Sequence, residues 1–287
     1  MRVTTVTTAA VVLALLLAAP VRGHDGPREQ IAGLTAQLAR EPSRADLYLQ
    51  RGDLYRVAGD AARARLDLER AAALDASLPG WPLAWARLQV DTHHFAEAVA
   101  AASQALAAQP ANIAALRLRA QAHVQLHQRA AAVADLTRVI ELAPVPDTVL
   151  DRARLIAEEP DRLAEALASI EDGIRRLGPV VTLQLEAIDL ERRQGRIDAA
   201  LHRIDAVIAG AARTETWLAR KGALLEDARR PAEALRAYHA ALEAIDALPA
   251  RARTTRATLA LASDLHGRID RLNAGTTRPS AGRSLSR

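Results

Sequence analysis

Two kinds of side chain in this sequence have the type and spacing to do chemistry. His93 and His94 are adjacent, and His123 and His127 stand one helical turn apart, where two imidazoles can share a metal ion. No carboxylate completes a ligand set at motif spacing. These histidines therefore read first as polar turn residues and only second as metal candidates. The other kind is arginine. Lys221 is the only lysine among 38 basic residues, so nearly every cation is a planar guanidinium able to hold a carboxylate or phosphate bidentately. Carboxylates are plentiful, but they follow helix-surface periodicity. No Gly-rich phosphate loop, nucleophile elbow or HExxH is present, and no cofactor is expected. There is no cysteine, which excludes disulfides, thiol catalysis, thiolate metal sites and lipidation at a bacterial signal site.

A repeat positions these residues. Alanine occupies positions 64, 98, 132, 166, 200 and 234, an interval of 34 residues five times in succession. A period of about 34 marks stacked helix–turn–helix units. With the first unit set at Ala45, the others begin at Pro79, Ile113, Asp147, Val181 and Glu215, and column 20 is alanine in all six. Columns 20, 24, 27 and 28 form an i, i+4, i+7, i+8 stripe on one helical face. Small residues at 20, and often at 27, let two helix backbones approach, while mostly larger ones at 24 and 28 fill the gap. The first half of each unit is a second helix, with a small residue in column 8 in four units: Gly52, Ala86, Ala120 and Gly222. Breakers such as Gly59, Pro160, Gly195 and Pro231 separate the two helices. Arg154 and Ile188 occupy column 8 in units four and five, and Pro79 and Pro179 are shifted from the column of Pro110 and Pro144. A different local packing angle is expected in units four and five.

The series Leu47, Tyr48, Gly52, Tyr55, Gly59, Ala64, Leu68, Ala71 resembles the tetratricopeptide repeat (TPR) family, and the sixth unit, through Trp217, Gly222, Ala234, Tyr238 and Ala241, resembles it nearly as well. The resemblance covers residues 45–248. It implies an all-α, right-handed α-α superhelical solenoid of about six TPR-like repeats with N- and C-terminal capping helices. It also implies that columns 2, 5, 6, 9, 12 and 13 of each first helix line a concave groove. Those columns hold Gln50, Asp53 and Arg56, then Arg87 and Asp91, then Arg117, Gln121 and Gln125. In the later units they hold Asp151, Arg152, Glu158 and Glu159, then Glu186, Asp189, Arg192 and Arg193, then Arg220, Glu226 and Asp227. The partner-binding candidates are Asp53, Arg56, Arg87, Arg117, Gln121, Arg152, Asp189, Arg192 and Arg220. Arg56, Arg87 and Arg117 fall in successive units, as a diagonal ladder suited to an acidic peptide or anionic polymer. The alternative is that they pair with Asp53, Asp91 and their neighbours. Some TPR proteins clamp chaperone tails with a Lys/Asn constellation, but no groove column here holds Lys or Asn.

Residues 1–23 read as a secretory signal peptide: Arg2, an apolar run from Ala9 to Ala19, Pro20, and Val21-Arg22-Gly23 before a cut at His24. That run of 11 residues is short of the roughly 20 that span a bilayer, so no stable membrane insertion of the mature chain is expected. Removing Arg2 and Arg22 leaves 36 basic and 34 acidic residues, a net +2, with no basic stripe interleaved with aromatics. Nucleic-acid binding is not expected. A new N-terminal His24 offers an amine and a ring for copper. Residues 28–41, with Ile31, Leu34 and Leu38 on one side and Pro42 after them, read as an N-terminal capping helix within residues 24–44. Residues 250–273, with Leu259, Leu261, Leu265 and Ile269, read as one C-terminal capping helix within 249–274, and residues 275–287 as a disordered cationic tail. The sequence therefore predicts a periplasmic or secreted, non-enzymatic scaffold. It would bind a peptide or partner protein in the groove, for assembly or regulation of an envelope complex. Two rivals are a metal-binding envelope protein using His93, His94, His123 and His127, and a hydrolase with paired groove carboxylates acting on glycan.

Overall fold

The computed structural model describes residues 26–276; the signal segment, His24 and the tail from residue 277 lie outside the described residues. Every regular element described is helical, in the antiparallel helix pairs of an α-α solenoid. The chain divides into two compact units, the first ending at His94 and the second beginning at Phe95.

The first unit holds α1 (Pro27–Arg40), α2 (Ala45–Val57), α3 (Ala61–Leu74) and α4 (Trp81–Asp91). α1 packs on α2 through Leu38, and α3 packs on both α2 and α4. Trp81 donates its indole N–H to the Leu68 carbonyl at 2.7 Å and stacks on Trp85 at 5.4 Å, so α4 is seated on α3 by an aromatic pair.

The second unit holds α5 (Phe95–Ala108), α6 (Ile113–Gln125), α7 (Arg129–Leu142), α8 (Pro146–Ala157), α9 (Leu163–Leu177), α10 (Val181–Arg193), α11 (Ile197–Gly210), α12 (Glu215–Asp227), α13 (Pro231–Asp246), α14 (Ala250–Arg253) and α15 (Arg256–Thr276). Each of α5 to α12 packs on the next, and α15 packs on α13. The expected single helix over 250–273 is broken. The Thr255 hydroxyl accepts from Thr258 N–H, a cap that ends α14 and starts α15. Leu265 and Ile269 of α15 are buried against α13, whereas Leu259 faces solvent at 56% exposure.

The column-20 alanines Ala64, Ala98, Ala132, Ala166, Ala200 and Ala234 are all fully buried. A Cβ added to Gly222 would collide with the Tyr238 ring, and one on Gly173 would lie 2.5 Å from Val149, so these columns need their small residues. Unit four solves the column-8 problem by a shift of one residue. Ala153 is buried in place of Arg154, and Arg154 turns outward to Glu186 at 2.9 Å. A short 3-10 turn at Pro160–Arg162 absorbs the offset before α9. In unit five, Ala187 is fully buried and Ile188 only half-buried, the same exchange.

A polar tie, carried by no recognised motif, joins the helices of a unit. Arg51 grips Asp67 bidentately at 2.7 and 2.8 Å and donates to Thr35. Two repeats later Arg119 grips Asp135 at 2.6 and 2.9 Å and donates to Ser103. Both are column 7 to column 23, with the third bond reaching column 25 of the preceding helix pair. Arg152, moved by the same one-residue shift, donates to Ser169 and Thr137 in the equivalent places. Lys221 reaches Asp205, again in column 25. The carboxylate bond raises the pKa of Arg51 and of Arg119, and burial pulls that of Arg152 down.

Candidate binding groove

The turns decide where the histidines go. Column 15 is the left-handed turn residue in five units: Gly59, His93, His127, Gly195 and Arg229, with φ between 57° and 81°. In each the following N–H returns to the helix, as His94 to Gln89 and Gln128 to His123. His93 and His127 therefore close helix ends. His94 Nδ1 lies 2.9 Å from the Thr92 hydroxyl, and His123 Nδ1 lies 2.6 Å from Gln128 Oε1. Among the described residues no group of three or more His, Cys, Asp or Glu is arranged to hold a metal.

The first helices carry the groove candidates. In the first compact unit, Arg56 on α2 donates to Asp53 at 2.8 Å and to Asp91 on α4 at 2.8 Å, while Arg87 on α4 approaches Asp53 at 4.0 Å. Arg56 and Arg87 thus come together as a charge-compensated network around Asp53. That is the pairing alternative rather than a free anion ladder at these two positions. The Arg56 side chain is 20% exposed, and its hydrogen bonds to Asp91 and Asp53 hold its pKa above the usual value against the opposing effect of burial.

In the second unit, α6 and α8 frame a cavity of about 490 Å³. Its floor is apolar: Ala120 and Leu155 are buried, and Val124 is 37% exposed. Its rim is polar, with Arg117, Gln121 and Gln125 from α6 and Asp151, Arg154 and Glu158 from α8 and its end. Arg117 uses one Nη2 bond on Thr148 at 3.0 Å and keeps its remaining donors at the rim. The Gln121 and Gln125 side chains are exposed and make no hydrogen bond with a described residue. Val124 and Leu155 were not among the sequence candidates. Their signal was an apolar side chain in groove columns 12 and 9, where only polar groups stood out as candidates.

The remaining candidates divide. Arg152 points to α7 and α9 through Thr137 and Ser169, away from the α6–α8 cavity. Asp189 and Arg192 pair with each other along α10 at 2.7 Å, and both are solvent-accessible. The Arg220 guanidinium makes no hydrogen bond or ion pair with a described residue and lines a smaller cavity of about 280 Å³ between α12 and α15, beside Asp264 and Arg268. Asp46, Glu165 and Glu233 are held low by hydrogen bonds from Arg44, Arg162 and Arg230.

No protein-family model and no curated protein matches the sequence. Solved structures do. The C-terminal part of a TPR repeat-containing protein from Cytophaga hutchinsonii matches with a TM-score of 0.62 at 13% identity, over 79% of this chain and 93% of that one. The structure of Naa15/Naa10 bound to HypK-THB matches with a TM-score of 0.55 at 16% identity, over 87% of this chain and 37% of that one. YrrB, a TPR protein with an unusual peptide-binding site, matches with a TM-score of 0.51 at 20% identity, over 62% of this chain and 92% of that one. At these identities the likeness is one of architecture, and it agrees with the buried alanine column: this chain has the tetratricopeptide-repeat fold.

Proposed function

We propose that this chain is a non-enzymatic scaffold that binds a peptide or partner-protein segment along its first helices, with the α6–α8 cavity as the principal anchor. One observation carries the reading. The cavity joins an apolar floor at Val124 and Leu155 to rim groups whose hydrogen-bonding capacity is not used up, Arg117, Gln121 and Gln125. Protein-recognition sites combine a buried apolar anchor with placed polar groups in this way. The fold supports the reading by analogy: YrrB has a peptide-binding site, and Naa15/Naa10 is bound to HypK-THB. Export to the periplasm or beyond, with cleavage near Gly23 and a role in assembling or regulating an envelope complex, belongs to the same proposal. It rests on Arg2, the apolar run Ala9 to Ala19 and the small residues before His24.

The test is affinity capture from an envelope extract with the mature chain and with a folded Arg117→Ala/Gln121→Ala variant. A partner held by the wild type and lost by the variant supports the anchor. A partner held equally by both moves recognition away from α6–α8. Amino-terminal sequencing of the protein recovered from the periplasm tests export, and a chain that still begins at Met1 contradicts it.

A further inference from the structure

A second cavity, of about 600 Å³, lies between α10 and α11 of unit five, on the face away from the groove columns. It falls inside the range of about 300–1,000 Å³ typical of ligand pockets. The walls are apolar: Pro179, Val181, Val207 and the ring of Trp217. Val181 is 55% exposed although it opens a helix in a packed array. Val207 is only half-buried, while the same column elsewhere, at Ala71, Ala105, Val139, Gly173 and Ala241, is buried. The apolar stripe is open to solvent here.

The floor is polar and built. Arg203 holds Glu191 bidentately at 2.7 and 3.0 Å and also donates to Glu171 at 3.0 Å. Gln184, only 8% exposed, accepts from Arg203 through Oε1 at 3.5 Å, and its Nε2 has no partner among the described residues. The free donors of this floor are the Gln184 amide N–H groups and the remaining Arg203 Nη1 N–H, beside carboxylate oxygens that keep further acceptor sites. Arg203 is already met by two carboxylates, so the locale carries an excess of negative charge. It favours an uncharged acceptor over an anion.

We propose that the α10–α11 cavity binds an uncharged apolar peptide segment. A backbone carbonyl would accept from Gln184 Nε2, and an apolar side chain would sit between Val181, Val207 and Trp217. The site is independent of the groove reading, because its α10 residues occupy columns 1, 4 and 11, none of them a groove column. A chain engaged in the groove would leave it open for a second segment.

Trp217 supplies the readout. The full mature chain is titrated with the blocked tripeptide acetyl-Ala-Leu-Ala-amide while the indole N–H signals of Trp81, Trp85 and Trp217 are followed by NMR, with Trp217→Phe assigning the last. A saturable shift confined to Trp217 is expected. Ala206→Leu, on the exposed mouth of the cavity, should weaken binding by at least about fivefold by filling the space. Gln184→Glu, which keeps an acceptor for Arg203 and removes the donors, should weaken it by a similar factor of about five to ten. Replacing the flanking alanines of the probe by aspartates should abolish the shift. No saturable shift at Trp217, equal shifts at all three indoles, or wild-type affinity in an Ala206→Leu variant with an unchanged melting temperature would overturn the site. Undiminished binding of the aspartate probe would overturn its preference for an uncharged segment.

Discussion

Units three and five are cut from the same columns and are each tied by a bidentate arginine–carboxylate pair, yet the two helices of unit three close on each other while those of unit five border a cavity. In unit three the long guanidinium of Arg119 starts on the first helix, α6, and meets the short Asp135 on α7. The apolar stripe then closes beside it, with Ala132, Val139 and Ile140 at 1% exposure or less. In unit five the polarity is reversed: Arg203 starts on the second helix and meets the longer Glu191 on the first. Two long side chains stand between α10 and α11, and the stripe beside them opens at Val181 and Val207. The direction and length of a buried ion pair can thus set the spacing of a helix pair as firmly as its apolar residues do.

The largest expected effect tests that contrast. Arg119→Met leaves the Asp135 carboxylate, 6% exposed, without its partner and should cost about 2–3 kcal/mol of unfolding free energy. Arg203→Met should cost at least as much, because the Glu191 carboxylate left behind is only 4% exposed and Glu171 loses the same partner. Urea denaturation of both variants checks this, and a clearly smaller loss for Arg203→Met would show that the cavity relieves the stranded carboxylate.

Unit six closes in a third way. The buried Tyr238 hydroxyl donates to Glu226 at 2.7 Å, with Arg268 beside both. Burial, reinforced by the Glu226 bond, pushes the phenol up to about 12. Between the unfolded value near 10 and this value the unfolded chain has lost the proton that the native state keeps, so stability is intact below pH 10. It should fall by roughly 2 kcal/mol as pH rises through that window. Unfolding free energies of the wild type and Tyr238→Phe across that range measure it, since the phenylalanine variant lacks this slope.

Column 27 gives a smaller, paired effect. Gly173→Ala forces a Cβ to 2.5 Å from Val149 and should cost about 1–2 kcal/mol, whereas Val207→Leu, facing the cavity, should change stability by less than about 0.5 kcal/mol. Thermal melts of the two separate a packed interface from an open one. The smallest effect has the opposite sign. His127 sits at φ 57°, and His127→Gly should gain up to about 1 kcal/mol by removing the left-handed strain, visible as a raised melting temperature.

Much of the architecture was legible because its constraint is local and repeated. An alanine every 34 residues announces a contact too close for anything larger, and all six are fully buried. The departures at Arg154 and Ile188 were visible as well, but their resolution was not. Trading column 8 for column 7 depends on where the helix axis passes, and the short turn at Pro160–Arg162 makes that possible. The arginine–aspartate tie left a readable trace, since Arg51/Asp67 and Arg119/Asp135 share one spacing two repeats apart. Of the groove candidates, Arg117 and Gln121 reach the α6–α8 cavity, whereas Arg152 serves the helix interface, because the one-residue shift carries it into the place of Arg51 and Arg119. Val124 and Leu155 stayed hidden because an apolar residue on an amphipathic helix does not declare whether it faces a core or a groove.

The most direct test of the central claim places a photo-crosslinking residue at position 124, inside the α6–α8 cavity, and in a second protein at position 134, exposed on α7 of the same unit. Illumination in an envelope extract should yield a partner adduct from 124 and none from 134. An adduct from 134 alone would place recognition on the opposite side of the repeat and contradict the groove as the binding surface.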